Sequence, residues 1–145
     1  MVQTSKTPLP AGASTTVQAF VGWLLNSIGA NYYLLRDFQS ALSWCKAKPN
    51  QYSSFCLAAT YEKLGRHTDA EVALEMYKAS AGDVYPYYVA LIYAQWGNTA
   101  QALEWLEKAI RDPDQNIQVL KIDPLLNPLR KEPRFQAIER ALKFP

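Results

Sequence analysis

The chain has 145 residues, of which 49% are hydrophobic and 19% are charged, and its formal net charge is +2. This length fits one domain with its own core, and the composition excludes a disordered or collagen-like chain. So small a net charge gives no support to a nucleic-acid-binding surface. The nine Tyr and four Trp suit partly buried surfaces, because each combines an apolar ring with a polar group.

Residues 1–16 consist largely of Thr, Ser, Pro, Ala and Gly, a composition that predicts a flexible tail. Apolar residues then recur at steps of three and four, which predicts a first helix over residues 17–35: Val17, Phe20, Leu24 and Ile28. Its apolar stretch is too short to span a membrane, and no signal-peptide pattern accompanies it. We therefore expect a cytoplasmic protein that does not enter the membrane.

The remaining sequence also predicts helices, and no segment alternates as a strand would. Gly65 and Gly97 each follow an apolar run, where a helix commonly ends. Thr68–Glu71 reads as a capping box at a helix start, and Asp37 and Asn98 are weaker N-cap signals. The predicted helices cover residues 38–47, 51–64, 68–80, 85–96, 98–111 and 133–143, with a short turn at 124–130.

Two cysteines, Cys45 and Cys56, lie among apolar neighbours and form no CxxC motif. Small secreted domains more often carry four or more cysteines. We expect buried free thiols that act as small apolar side chains; a disulfide between neighbouring helices is the alternative.

A small residue is followed three positions later by Tyr at three places: Gly29 and Tyr32, Ala58 and Tyr61, Ala90 and Tyr93. Nine positions after each Tyr comes an alanine: Ala41, Ala70 and Ala102. These constant offsets predict three copies of a helix hairpin, because small residues let two antiparallel helices approach closely. Each hairpin leaves one face bare, so about three must stack to form a stable core.

These units resemble the tetratricopeptide repeat family. The third unit, 88–109, has the residues that the family expects: Ala90, Tyr93, Gly97, Ala102, Leu106 and Ala109. In the first unit, Arg36 replaces the turn glycine. The resemblance implies an all-α, right-handed superhelix, with repeats at about residues 20–50, 51–83 and 84–116.

The C-terminal segment, residues 117–145, is predicted to cap the array. Residues 120–135 resemble the closing segment that follows such repeats in bacterial multidomain regulatory proteins. Pro124 and Pro133 suit the first position of a helix. Phe135, Ile138 and Leu142 form one apolar stripe, as a terminal helix with one polar face requires.

No set of residues points to catalysis, a cofactor or a metal. His67 is the only histidine and has no second imidazole to share a metal or a proton relay. No phosphate-binding glycine loop and no nucleophile set occurs. We therefore expect a protein that is not an enzyme.

The resemblance implies that the first helix of each hairpin lines a concave groove. The residues projected onto this groove are mostly aromatic or apolar: Asn26, Tyr33, Tyr52, Phe55, Ala59, Glu62, Lys63, Tyr87, Leu91 and Gln95. Such a groove suits an apolar or extended peptide. We expect a protein- or peptide-binding scaffold; the alternatives are a homodimerising regulatory module and a sensor of a small apolar ligand.

Overall fold

A computed structural model describes residue 24 and residues 27–47, 51–112 and 114–143, without the side chains of residues 51 and 52. Within these ranges the chain is helical and contains no strand, which confirms the all-α prediction. The predicted tail at residues 1–16 and the predicted start of the first helix lie outside the described residues. No helix in the described ranges combines the length and apolar character needed to cross a membrane.

The described residues form α-helices joined by short turns. The helices are α1 (27–34), α2 (Phe38–Lys46), α3 (Gln51–Lys63), α4 (His67–Tyr77), α5 (Pro86–Gln95), α6 (Thr99–Arg111) and α7 (Pro133–Ala141). A π-helical turn, Lys78–Gly82, extends α4. Two 3₁₀-helices precede α7, Gln115–Val119 and Pro124–Leu129; the first of them was not predicted.

The turns after α1, α3 and α5 share one backbone geometry. Each contains a residue with positive φ, at Arg36 (64°), Gly65 (75°) and Gly97 (77°). In each, the following amide donates to the carbonyl of the hairpin tyrosine: Asp37 to Tyr32 at 3.0 Å, Arg66 to Tyr61 at 2.9 Å and Asn98 to Tyr93 at 2.9 Å. This pattern closes a helix on a left-handed residue, so the second helix leaves each turn in the same way.

The residue after each of these turns is the N-cap of the next helix. Asp37 Oδ1 accepts from the Ser40 amide at 3.1 Å, and Asn98 Oδ1 accepts from the Gln101 amide at 3.2 Å, which confirms both predicted caps. The predicted capping box at Thr68–Glu71 is wrong. Helix α4 begins at His67 with Arg66 as its N-cap, because the preceding turn places the helix start immediately after it.

Small residues lie where the hairpin helices meet. The alanines at the repeated offsets are all completely buried: Ala41, Ala58, Ala70, Ala90 and Ala102. One core cluster joins α5 and α6 to the C-terminal 3₁₀-helices and α7, and a second joins α3, α4 and α5. The indole Nε1 of Trp96 adds a link between hairpins, donating to the carbonyl of Ala58 at 3.1 Å.

Cys45 and Cys56 form a disulfide between α2 and α3, with their Cα atoms 5.7 Å apart. The expectation of free thiols is therefore wrong, although both residues are buried as expected. The pairing is possible because the two cysteines face each other across adjacent helices at a separation that a disulfide can span. Gly29 of α1 lies against this bond: a Cβ added there would be 2.9 Å from Sγ of Cys45 and 3.0 Å from Sγ of Cys56.

The C-terminal helix packs as predicted. Pro133 occupies the first turn of α7, and Phe135 and Ile138 are buried in the same cluster as Leu126 and Leu129. Arg130 fastens this region, because its guanidinium donates to the carbonyl of Asp123 at 3.0 Å and to Glu139 at 3.2 Å.

Candidate functional site

The face formed by α1, α3 and α5 is divided into a closed half and an open half. Residues 114–129, which include both 3₁₀-helices, lie across α5 and are called the covering segment below. Beneath it Tyr87 and Leu91 are only 1% and 2% exposed. Leu126 and Leu129 are fully buried in the same cluster as these two residues, so leucine side chains of the chain itself fill this half of the face.

Two aspartates anchor the covering segment to Tyr87. The backbone amide of Tyr87 donates to Asp114 Oδ2 at 2.9 Å, and its hydroxyl donates to Asp123 Oδ2 at 2.9 Å. Burial, followed by the nearby negative charge of Asp123, raises the pKa of Tyr87 far above its usual value. The hydroxyl therefore remains a protonated donor over the physiological pH range.

These contacts correct the prediction of a groove open along its whole length. Tyr87, Leu91 and Ala59 are buried, and Leu125 packs against the cluster that contains Ala59. Phe55 is half-buried, with its ring centroid 5.1 Å from that of Tyr88. The sequence predicted a short turn at 124–130 and a capping role for residues 117–145. It did not predict that this segment lies across α5, because the contacts of Asp114 and Asp123 with Tyr87 join residues far apart in the sequence.

Beyond the covering segment, the face opens into a hollow of about 220 Å³, called the N-terminal hollow below. Its lining residues come from α1, the turn after it, α2, α3 and α5: Tyr33, Leu34, Arg36, Phe38, Lys63 and Gln95. Three of these six, Tyr33, Lys63 and Gln95, belong to the groove predicted from the sequence, and Leu34 adjoins them on α1.

The floor of the N-terminal hollow is aromatic and fixed. The rings of Tyr33 and Phe38 meet edge to face with centroids 5.4 Å apart. The Tyr33 hydroxyl donates to Gln95 Oε1 at 2.7 Å, and burial raises the pKa of Tyr33 well above its usual value. Leu34, by contrast, is 45% exposed at the rim, so apolar surface is available to a ligand.

Gln95 connects the two halves of the face. Its side-chain oxygen accepts from Tyr33, and its side-chain nitrogen donates to the carbonyl of Leu125 in the covering segment. Its backbone carbonyl, at the C-terminus of α5, accepts from Lys63 Nζ at 3.0 Å. Gln95 therefore lines the hollow and also bonds to the covering segment, which closes the other half of the face.

The other predicted groove residues do not line the hollow. Asn26 lies outside the described residues, as does the side chain of Tyr52. Glu62 pairs instead with His67, the first residue of α4, whose Nδ1 is 2.7 Å from Glu62 Oε2. Arg36 and Phe38 line the hollow without having been predicted; the signal for Arg36 was its position in place of a turn glycine.

A larger hollow of about 540 Å³ lies at the C-terminal end of the described chain. It is lined by Lys121, Arg130, Gln136, Glu139, Arg140 and Lys143. Arg130 is already bonded to backbone carbonyls and to Glu139, and Glu139 offsets part of the positive charge. We therefore take the N-terminal hollow as the better candidate site.

No group of His, Cys, Asp and Glu side chains within the described ranges could hold a metal ion. A narrow apolar gap lies between Tyr33, Phe55, Cys56 and Leu125, with a volume of about 10 Å³. That volume is about one water-sized probe, so the gap is too small for an apolar ligand.

Comparison with known proteins adds no relative: no protein-family model, no curated protein and no solved structure matches this chain. What the chain does must therefore be inferred from its own geometry.

Proposed function

We propose that this chain is a non-catalytic module of tetratricopeptide type that binds an extended peptide in its N-terminal hollow. The hollow carries this proposal, because it combines an exposed leucine, a rigid aromatic floor and polar groups at its edge. Its volume of about 220 Å³ is below the roughly 300–1,000 Å³ of small-molecule pockets. It suits one or two side chains of a peptide that continues along the surface.

The shared geometry of three turns supports the repeat part of the proposal. Arg36, Gly65 and Gly97 lie at the same offset from their tyrosines and have nearly equal φ values. Stacked hairpins with one turn geometry generate a superhelix with a concave face, and we propose the right-handed form. The proposal includes no cofactor, metal, nucleic acid or membrane partner, and the resemblance to bacterial regulatory proteins suggests a bacterial context.

Homodimerisation is the second candidate function. Leu35, which follows Leu34 in the chain, is 76% exposed, and adjacent exposed leucines are a common feature of protein interfaces. Light scattering over a hundredfold concentration range separates the two candidates. A dimer that persists at every concentration and is lost on Leu35→Ser would favour self-association over peptide binding.

The test of peptide binding is selection of a random-peptide display library on the full chain. Leu34→Trp should block the hollow and abolish binding of the selected peptides. Leu35→Trp is the matched control, because Leu35 has no part in the lining and binding should persist. Peptides that bind the two variants equally well would place their site elsewhere and overturn the proposal.

The cytoplasmic location expected from the sequence remains a proposal, and the disulfide between Cys45 and Cys56 counts against it. The state of these two cysteines in cells therefore tests it. A reducing cytoplasm keeps thiols reduced, whereas an oxidising compartment preserves a disulfide. Alkylation of the protein inside cells, followed by mass spectrometry, should find both thiols modified if the protein is cytoplasmic. Unmodified, linked cysteines would assign the protein to an oxidising compartment.

A further inference from the structure

We infer that the N-terminal hollow recognises an acidic side chain, Asp or Glu, next to a large apolar residue in an extended peptide. This inference rests on the proposed peptide-binding function and names the chemistry of the partner. Two cations, Arg36 and Lys63, line the hollow together with the exposed apolar side chain of Leu34, and no carboxylate is among the described lining residues.

The two cations of the hollow have no ion-pair partner in the described part of the chain. Within it, neither Arg36 nor Lys63 forms a salt bridge. Lys63 donates only to a neutral acceptor, the carbonyl of Gln95. An incoming carboxylate would therefore meet two cations without displacing an ion pair.

The two acidic residues next to these cations in sequence are already engaged. The side chain of Ser40 donates to Asp37 Oδ2 at 2.6 Å, and this hydrogen bond lowers the pKa of Asp37. Glu62 pairs with His67 at 2.7 Å. Both carboxylates are held by partners of their own, and neither residue lines the hollow.

The backbone places Arg36 at this edge at a conformational cost. Arg36 has a φ of 64° in the turn where the other two hairpins have Gly65 and Gly97, and side chains other than glycine disfavour that region. A residue in an unfavourable conformation beside a cavity is a reason to look for function. Glycine would fit this turn with less strain, but arginine places a guanidinium at the edge of the hollow.

In the closed half of the same face, an acidic residue and a leucine of the chain itself are bound in the way proposed for the peptide. There the covering segment presents Asp123 to the hydroxyl of Tyr87 at 2.9 Å and buries Leu126 in the adjoining cluster. An acidic residue followed closely by leucine is therefore already bound next to the hollow. The hollow continues this surface across Gln95, with cations in place of the tyrosine hydroxyl.

The inference is tested by fluorescence anisotropy with two amidated, fluorescein-labelled peptides. One alternates Leu and Glu, and the other alternates Leu and Gln, so they differ only in charge. At low salt, the Glu peptide should bind the full chain about tenfold more tightly than the Gln peptide, because two cation–carboxylate contacts of ordinary strength add. Raising the salt concentration should remove most of this difference.

Substitutions then locate the site. Arg36→Gly and Lys63→Gln should each weaken binding of the Glu peptide about threefold, the value of one exposed ion pair. Lys143→Gln is the matched control: it removes one positive charge from the C-terminal hollow and should leave binding unchanged. Arg36→Gly also relieves the unfavourable turn, so loss of binding by this variant cannot be ascribed to unfolding.

Three outcomes overturn the inference: equal binding of the two peptides, binding that responds to Lys143 rather than to Arg36 and Lys63, or no binding of the Glu peptide. If the display library yields neutral peptides that are blocked by Leu34→Trp, peptide binding stands and only the acidic preference falls. If the library yields no peptide that Leu34→Trp blocks, the proposed function itself falls.

Discussion

The hydroxyl of Tyr87 donates to the carboxylate of Asp123 at 2.9 Å, across 36 positions of sequence. This bond joins the middle of the helical array to the segment that covers it. It also determines which part of the face formed by α1, α3 and α5 remains open, because Tyr87 and Leu91 are buried beneath the segment.

Loss of this bond should destabilise the fold. Tyr87→Phe keeps the buried ring but leaves Oδ2 of Asp123 without its donor, at a cost of about 1–3 kcal/mol in the free energy of unfolding. Urea denaturation followed by circular dichroism measures the change. Tyr85→Phe is the control: that hydroxyl has no partner in the described ranges, so its removal should change stability by less than about 0.5 kcal/mol. Equal effects of the two substitutions would contradict the assigned role.

Stability should fall in alkaline solution, and Tyr87 should contribute to the fall. Its pKa is raised in the folded state, so above the ordinary tyrosine pKa of about 10 the unfolded chain loses a proton that the folded chain keeps. The contribution is fully present below that pH and decreases above it, by up to about 1.4 kcal/mol per pH unit. Urea midpoints between pH 9 and 11 should decline less steeply in Tyr87→Phe than in the unmodified chain. Parallel declines would refute this assignment.

Because the three turns are equivalent, introducing glycine at Arg36 and removing it at Gly97 should have opposite effects on stability. Arg36→Gly should stabilise the chain by about 1 kcal/mol, since a side chain is disfavoured at positive φ. Gly97→Ala, at a φ of 77°, should destabilise it by about the same amount. Thermal unfolding of both variants measures the difference. A destabilised Arg36→Gly variant would show that the Arg36 side chain supports the fold itself.

The disulfide should contribute mainly to the stability of the first hairpin. It closes a loop of 11 residues, for which the loss of chain entropy in the unfolded state corresponds to about 3 kcal/mol. Cys45→Ala with Cys56→Ala should therefore lower the urea midpoint. Hydrogen exchange should increase most in α1 and α2, because Tyr33 and Ala41 belong to a small cluster apart from the two larger cores. Uniform loss of protection across the described helices would contradict this local effect.

Gly29 should tolerate no side chain while the disulfide is present. Gly29→Ala introduces a Cβ about 3 Å from both sulfur atoms, and relief of such overpacking typically costs about 1–3 kcal/mol. The same substitution should be nearly neutral when Cys45 and Cys56 are both alanine, so a double-mutant cycle isolates the contact. Gly82→Ala is the control, because the nearest atom there, Cβ of Lys78, is 3.4 Å away, which is an ordinary van der Waals distance. An equal cost of Gly29→Ala in both backgrounds would disprove the contact.

Most of the helices and their ends could be predicted from local sequence patterns. The offsets from Tyr32, Tyr61 and Tyr93 located the turns, because a helix that ends on a left-handed residue has a fixed hydrogen-bond spacing. The same hydrogen-bond spacing explains why α4 begins at His67, whereas the capping-box motif had predicted a later start. The apolar stripe of Phe135 and Ile138 likewise predicted the packing of α7.

The candidate site depended on contacts between distant residues, which local patterns do not contain. Tyr33 and Tyr87 were both predicted to face the groove, yet one lines an open hollow and the other lies under the covering segment. That difference arises from Asp114 and Asp123, which act over long separations. The disulfide was missed for a related reason: pairing depends on the approach of α2 to α3 and on oxidation, neither of which the cysteine neighbourhoods encode.

The covering segment occupies the closed half of the face and is part of the same chain. It would therefore compete with any free peptide for this surface. A segment joined to its site by a short chain has an effective concentration in the millimolar range. A free peptide that made only the same contacts, such as those of Asp123 and Leu126, would be outcompeted at ordinary cellular concentrations. Under the proposed function, selectivity among peptides would therefore depend on contacts that the chain does not make with itself, in the N-terminal hollow on the far side of Gln95.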